Sequence, residues 1–191
     1  MAKYQNNAVV VGSISDIAQR NGTSLAESFI NCDAVVIVDV SGSMAAKDSR
    51  GGRSRYDIAL EELAALQSHL PGKIAVIAFS DSVVFVPGGQ PPFMGSGTNL
   101  AAALRFAKVA DVPDMRFFII SDGSPDDEQA ALNVAKSYSN RIDTIYVGPE
   151  SGYAMGREFL ETLARASGGQ STTADRVQEL AAKVETLLLG S

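Results

Sequence analysis

The 191-residue sequence holds one cysteine, one histidine and no tryptophan. A lone cysteine, Cys32, excludes an intrachain disulfide, a CxxC redox pair and a cysteine zinc cluster. A lone histidine, His69, excludes a multi-histidine metal site and leaves a serine hydrolase with a single candidate base, placed just before Pro71-Gly72 near a helix end. Positive charge is scarce as well: 16 basic against 22 acidic side chains give a net charge of −6 and a pI near 4.8. Such a chain lacks the basic face that phosphate backbones require, so no nucleic-acid partner is expected. No run approaches the roughly 18 apolar residues of a membrane span. The opening MAKYQNNAVVVGS has one lysine and too short an apolar stretch for a secretory signal, so a cytoplasmic setting is expected. Neither GxSxG nor GxxxxGK[ST] occurs, and Gly88-Gly89 and Gly95-x-Gly97 are loop glycines rather than a dinucleotide fingerprint.

What is present is an ordinary globular composition, 46% hydrophobic and 20% charged, on a length that suits one domain with a large core. Five short apolar runs stand out, at residues 34–38 (AVVIV), 74–79 (IAVIAF), 83–86 (VVFV), 117–120 (FFII) and 142–147 (IDTIYV). They are rich in β-branched and aromatic residues and bounded by Gly, Pro, Asp or Ser, the pattern of buried strands. Most lack polar alternation, which predicts cover on both faces, as in a parallel sheet. Between the runs lie helical patterns. Tyr56, Ala59, Leu63, Leu66 and Leu70 share one stripe, opened by Ser54-x-x-Asp57 and stopped by Pro71-Gly72. Further helices are predicted over residues 100–109, 126–138 and 157–166, the second of them with Ser124 as candidate N-cap. Val177, Leu180, Val184, Leu187 and Leu188 form a last stripe, and residues 170–173 a candidate short strand.

Strand and helix alternate, so the fold class is α/β, with a doubly wound, mostly parallel central sheet and helices on both faces. Residues 80–82 are too few for a crossover helix and predict a hairpin, hence one antiparallel edge strand. Residues 1–32 read as an N-terminal extension and residues 33–191 as the domain. Within the extension, residues 8–11 offer a strand, Leu25 and Phe29 share a helical face, and Ser24-x-x-Glu27 has capping-box spacing.

Ligands of open α/β sheets gather at the carboxyl ends of the strands. There the sequence places Asp39-Val40-Ser41-Gly42-Ser43 after the first strand and Ser121-Asp122-Gly123 after the fourth, with Gly95-Ser96-Gly97-Thr98 ahead of a helix. These loops offer two carboxylates and several hydroxyls, with no thiol and no imidazole. That is a hard-oxygen set, suited to Mg²⁺, Mn²⁺ or Ca²⁺ and unsuited to zinc or copper. Each piece also has a plainer reading. Asp39, Ser41 and Ser43 suit a turn, Thr98 an N-cap, and Asp122-Gly123 another turn.

With DVSGSM at 39–44, GSGTNL at 95–100 and IISDGSPDD at 119–127, the chain resembles the von Willebrand factor type A (vWA) domain over residues 33–189. That family builds a metal-ion-dependent adhesion site (MIDAS) from D-x-S-x-S, a separate Thr and a separate Asp. The resemblance carries Asp39, Ser41, Ser43, Thr98 and Asp122 onto those roles. It implies that the hydroxyls of Ser41, Ser43 and Thr98 ligate Mg²⁺ (Mn²⁺ or Ca²⁺ as alternatives) directly or nearly so. Asp39 and Asp122 act directly or through water, and an acidic side chain of a protein partner completes the shell. It also implies one antiparallel edge strand. The expected function is divalent-metal-dependent protein–protein binding, without enzymatic activity.

Three alternatives stand beside this. A Mg²⁺-dependent phosphatase of haloacid dehalogenase type would use Asp39 as nucleophile, Lys108 on phosphate and Asp122 or Asp126 on metal. It wants a second carboxylate two residues after the first, where this chain has Ser41. A vWA scaffold would keep the metal for structure alone. Residues 17–30 have a faint helix-turn-helix look, but the second helix carries Glu27 and neither lysine nor arginine, which points to packing rather than base reading. Arg50, Arg53 and Arg55, around Gly51-Gly52, read as a solvated, mobile loop, or alternatively as a basic rim beside the metal that selects an acidic partner.

Overall fold

The apolar runs become strands covered on both sides. The structure is a computed structural model that describes residues 9–149 and 155–173. Its sheet comprises β1 (Ala34–Asp39), β2 (Ile74–Phe79), β3 (Val83–Phe85), β4 (Arg116–Ser121), β5 (Ile142–Tyr146) and β6 (Ser171–Thr173), in the order β3-β2-β1-β4-β5-β6. All neighbours are parallel except β3, which returns antiparallel along β2 with Ile77 opposite Phe85 and Phe79 opposite Val83. The expected hairpin at 80–82 therefore forms the antiparallel edge.

Successive side chains of a strand point to opposite faces, and in β1 both faces are core. Val35 and Ile37 join a cluster with Leu104, Phe117 and Leu160. Val36 and Val38 join another with Ile58, Leu63 and Phe118. This explains why β1 shows no polar alternation: all six of its residues are buried. The second cluster is closed by α3 (Arg55–His69). The first is closed by α4 (Leu100–Ala107), α5 (Glu128–Ala135) and α6 (Met155–Ala166), with Ile14 of α1 (Ile14–Asn21).

Caps set most helix starts. Ser54 accepts from the Asp57 N–H at 3.0 Å, and Ser24 and Glu27 complete a capping box that opens α2 (Leu25–Ile30). α5 departs from its expected span of 126–138. Its N-cap is Asp127, which accepts from the Ala130 N–H at 2.8 Å, and not Ser124. Asp126 is held outside the helix because its carboxylate bonds another loop. α4 stops at Ala107 and continues as a 3₁₀ turn, Lys108–Ala110. Val9 makes a single antiparallel bridge to Gly89 rather than a strand, and Val11 is exposed. The segment that follows is tied down by Ser15 N–H to Pro87 O at 3.0 Å and Gly72 N–H to Gly12 O at 2.8 Å. The stripe from Val177 to Leu188 lies outside the described residues. Among the described residues, no helix is long and apolar enough to cross a membrane.

Candidate metal centre

From β1 the chain crosses to β2 on one side, and later enters β4 on the other. The sheet therefore reverses its strand order at β1, and the crevice above the carboxyl ends of β1 and β4 is where such sheets bind ligands. Asp39 ends β1 and Ser121 ends β4. The register pairs Val38 with Ile120, so the two terminal residues are neighbours.

Asp39 is fully buried. Its Oδ1 accepts from the Ser41 N–H at 2.9 Å and its Oδ2 from the Ser121 hydroxyl at 2.6 Å. The Ser121 oxygen in turn accepts from the Gly123 N–H at 2.9 Å. After Val40 the chain curls into a 3₁₀ turn, Gly42–Ala45, which brings the Ser41 and Ser43 hydroxyls to 3.2 Å from one another. Ser41 is buried; Ser43 is open to solvent.

Asp122 is buried directly after β4. Its Oδ2 accepts from Arg55 Nη1 at 2.6 Å. Its Oδ1 is buried and has no hydrogen-bond partner among the described residues. Thr98 is buried on the third loop, and its N–H donates to Asp126 Oδ2 at 2.9 Å while Asp126 N–H donates to Thr98 O at 3.1 Å. That loop meets the first through Gly42 N–H to Ser96 O at 2.9 Å. Asp81, from the β2–β3 hairpin, accepts from the Ser96 hydroxyl and, at 3.1 Å, from the Gly97 N–H. All three loops are thus joined to one another at this edge.

The plainer readings fare differently. The Asp39–Ser41 bond is a genuine turn bond, so that role coexists with any other. Thr98 is not the N-cap of α4: Asn99 is, accepting from the Ala102 N–H at 3.1 Å. The Thr98 side chain is thereby released from capping.

Burial pushes the Asp39 carboxyl up to about 6, against the hydrogen bonds from Ser121 and Ser41 that lower it, and the nearby Asp122 charge raises it further. Arg55 holds the exposed Asp48 carboxyl below the usual range, chiefly through their hydrogen bonds.

The donor set fits a hard dication. It is all oxygen, and among the described residues no three His, Cys, Asp or Glu side chains cluster as a metal site. That leaves two carboxylates supplemented by neutral hydroxyls. Buried polar atoms are nearly always paired, so the solitary Asp122 Oδ1 is the clearest local mark of a place for a cation.

The bonds made by four supporting residues escaped the reading of the sequence. Ser121 could have been found, because it precedes Asp122 at the end of an apolar run. Asp81 sits in the expected hairpin, but nothing in its spacing announces a bond to Ser96. Asp126 was assigned to a helix or, in the phosphatase alternative, to a metal, and Arg55, read with Arg50 and Arg53 as a loop or a rim, lies 67 positions from Asp122. Other candidates stay apart. Lys108, beyond the far end of α4, bonds Asp111 at 3.1 Å and the Ser137 carbonyl at 2.6 Å and lies over the Tyr138 ring. His69 is exposed, with Nδ1 2.7 Å from the Ala65 carbonyl. Arg50 pairs with Glu61 at 2.7 Å and Glu62 at 3.2 Å, and Arg53 also pairs with Glu61, so this loop is pinned to α3.

No protein-family model and no curated protein matches the chain. Solved structures do match. An aerotolerance-related membrane protein from Bacteroides fragilis NCTC 9343, carrying multiple mutations to serine, is 15% identical with a TM-score of 0.66 over 80% of this chain and 96% of its own. The conserved hypothetical protein BatB from Bacteroides thetaiotaomicron is 13% identical with a TM-score of 0.60, over 81% and 98% of the two chains. Manganese-loaded TRAP from Plasmodium vivax is 18% identical with a TM-score of 0.58, over 80% and 71%. At these identities the likeness is one of fold, and the fold is a vWA-like α/β fold.

Proposed function

We propose that this chain binds another protein through a divalent cation held at the crevice above β1 and β4. The observation that carries the reading is Asp122 Oδ1, buried and unpaired among the described residues, on the loop whose Ser121 bonds Asp39 at the head of the Ser41–Ser43 turn. Ser41, Ser43, Thr98 and Asp122 would hold the ion. Asp39, both of whose oxygens already accept hydrogen bonds, would orient Ser41 and add its charge from behind. A bound Mg²⁺ or Mn²⁺ supplies a positive centre with a coordination position for the carboxylate of an acidic partner. The exposed Ser43 stands on the side from which that partner approaches.

A phosphatase reading is less well supported. Ser41 stands where a general acid is needed, and Lys108 is engaged elsewhere. The manganese-loaded neighbour of the same fold makes Mn²⁺ a sensible probe beside Mg²⁺.

Calorimetry with Mg²⁺ on the wild type and on the Asp39→Ala, Ser41→Ala double variant tests the site. The wild type is expected to bind one ion and the variant none, with the helix and strand content of the variant retained by circular dichroism. Equal binding by the two proteins would sink the assignment.

A further inference from the structure

Asp122 turns its two oxygens to opposite environments. Oδ2 accepts from Arg55 Nη1 at 2.6 Å, and Oδ1 is buried without a partner among the described residues. Arg55 is held from its far side by Asp48, through Nε at 2.8 Å and Nη2 at 2.7 Å. Its backbone N–H donates to Ala46 O at 3.1 Å. The guanidinium is therefore a fixed positive charge, 17% exposed, on the same carboxylate whose other oxygen is buried without a partner among the described residues.

Resting on the metal-binding reading above, we propose that Arg55 sets the strength of cation binding at this site, as a built-in counter-charge on Asp122. Asp39 and Asp122 alone would neutralise a dication. With Arg55 added, the filled site keeps one net positive charge at its centre, and Asp48 offsets it only from the exposed side. Two consequences follow from the sign. The ion is held more weakly and stays exchangeable. The filled site also continues to attract an incoming carboxylate instead of presenting a neutral surface to it. Like charges a few ångström apart, at an effective dielectric between that of water and that of the protein interior, change affinity by about tenfold or more. Arginine suits the task because it stays charged at every accessible pH and its planar fork can grip two carboxylates at once.

The test is a titration of the full chain with MnCl₂, following free Mn²⁺ by electron paramagnetic resonance. The proteins are the wild type, Arg55→Gln, Arg55→Lys and the Asp39→Ala, Ser41→Ala double variant, each also melted in EDTA. Arg55→Gln is expected to bind Mn²⁺ about tenfold or more tighter than the wild type, and Arg55→Lys, which keeps the charge, within about threefold of it. Equal or weaker binding by a folded Arg55→Gln overturns the inference. So does an Arg55→Lys that follows Arg55→Gln, because the bonds of the guanidinium and not its charge would then be acting. Should Arg55→Gln fail to fold, Arg55→Met, of similar length, takes its place with the same expectation. The underlying reading fails on a different result: Mn²⁺ binding by the wild type that the double variant retains in full places the ion elsewhere, whatever Arg55→Gln does.

Discussion

Replacing Gly123 with alanine attacks the site from behind. Gly123 has a φ of +78°, a conformation that costs a residue with a Cβ about 1–2 kcal/mol. The added Cβ would also overlap the carbonyl oxygen of Gly156, in the first turn of α6. That atom is backbone and cannot swing aside, so either the loop carrying Asp122 or the start of α6 must shift. Forced shifts of this kind cost about 1–3 kcal/mol, for a total of about 2–5 kcal/mol. In a chain of this size each kcal/mol lowers the melting temperature by about 2–4 °C. Gly123→Ala should therefore melt about 4–20 °C below the wild type in EDTA, by calorimetry or circular dichroism. Gly156→Ala should show a similar loss, because its Cβ would overlap the Asp122 carbonyl oxygen across the same contact. The double variant should lose less than the sum, since one contact is being broken twice. A Gly123→Ala melting temperature within about 2 °C of the wild type would refute the reasoning, because it would mean that the loop moves at no cost.

Further outcomes are expected. Thr98→Ala should abolish Mg²⁺ binding with little loss of stability, whereas Asn99→Ala should cost about 1 kcal/mol through the lost cap of α4 and leave binding in place. The reverse pattern in paired melts and calorimetry would return Thr98 to a capping role. The folded Asp39 carboxyl titrates near 6, above its ordinary 3.8, so between those values the folded protein holds the extra proton. Without metal, stability is greatest below about pH 4 on this account and falls as pH rises towards 6; Mg²⁺ affinity runs the other way, weakening about tenfold per unit below pH 6. Affinity flat from pH 7 to 5 would contradict this. Burial, first of all, pushes the Cys32 thiol up to about 12. A disulfide reagent at pH 8 should therefore find almost no thiol in the folded chain and one in denaturant.

Strand positions were legible because burial on both faces leaves a compositional mark: runs such as AVVIV admit little besides a covered strand. The antiparallel edge was legible for a reason of chain length, since the link of Ser80, Asp81 and Ser82 can only make a hairpin. Asp39, Ser41, Ser43 and Asp122 were legible as candidates because they follow strand ends, where topology fixes position; Thr98, on the loop ahead of α4, was legible only by the motif it resembles. What escaped were groups that act across the fold. Asp126 looked like a helix-starting acid, and only the approach of the Thr98 loop gives its carboxylate another use. Arg55 looked like one basic residue among several in a loop, while its role depends on Asp122 lying above the neighbouring strand. Local chemistry decides caps and turns; it carries no record of which distant carboxylate a guanidinium will meet.

The reciprocal bonds between Thr98 and Asp126, and the bond from Gly42 to Ser96, bear on which ion the proposed site would take. Loops joined by backbone bonds cannot widen independently, so their oxygens form a frame of nearly constant aperture. A small ion that tolerates few protein ligands and keeps its own waters suits such a frame. Ca²⁺, which asks for six to eight oxygens at longer range, would have to stretch it. On the proposed metal-binding reading, ion choice at this edge would be a question of ionic radius against loop stiffness, decided when the chain folds and before a partner is met.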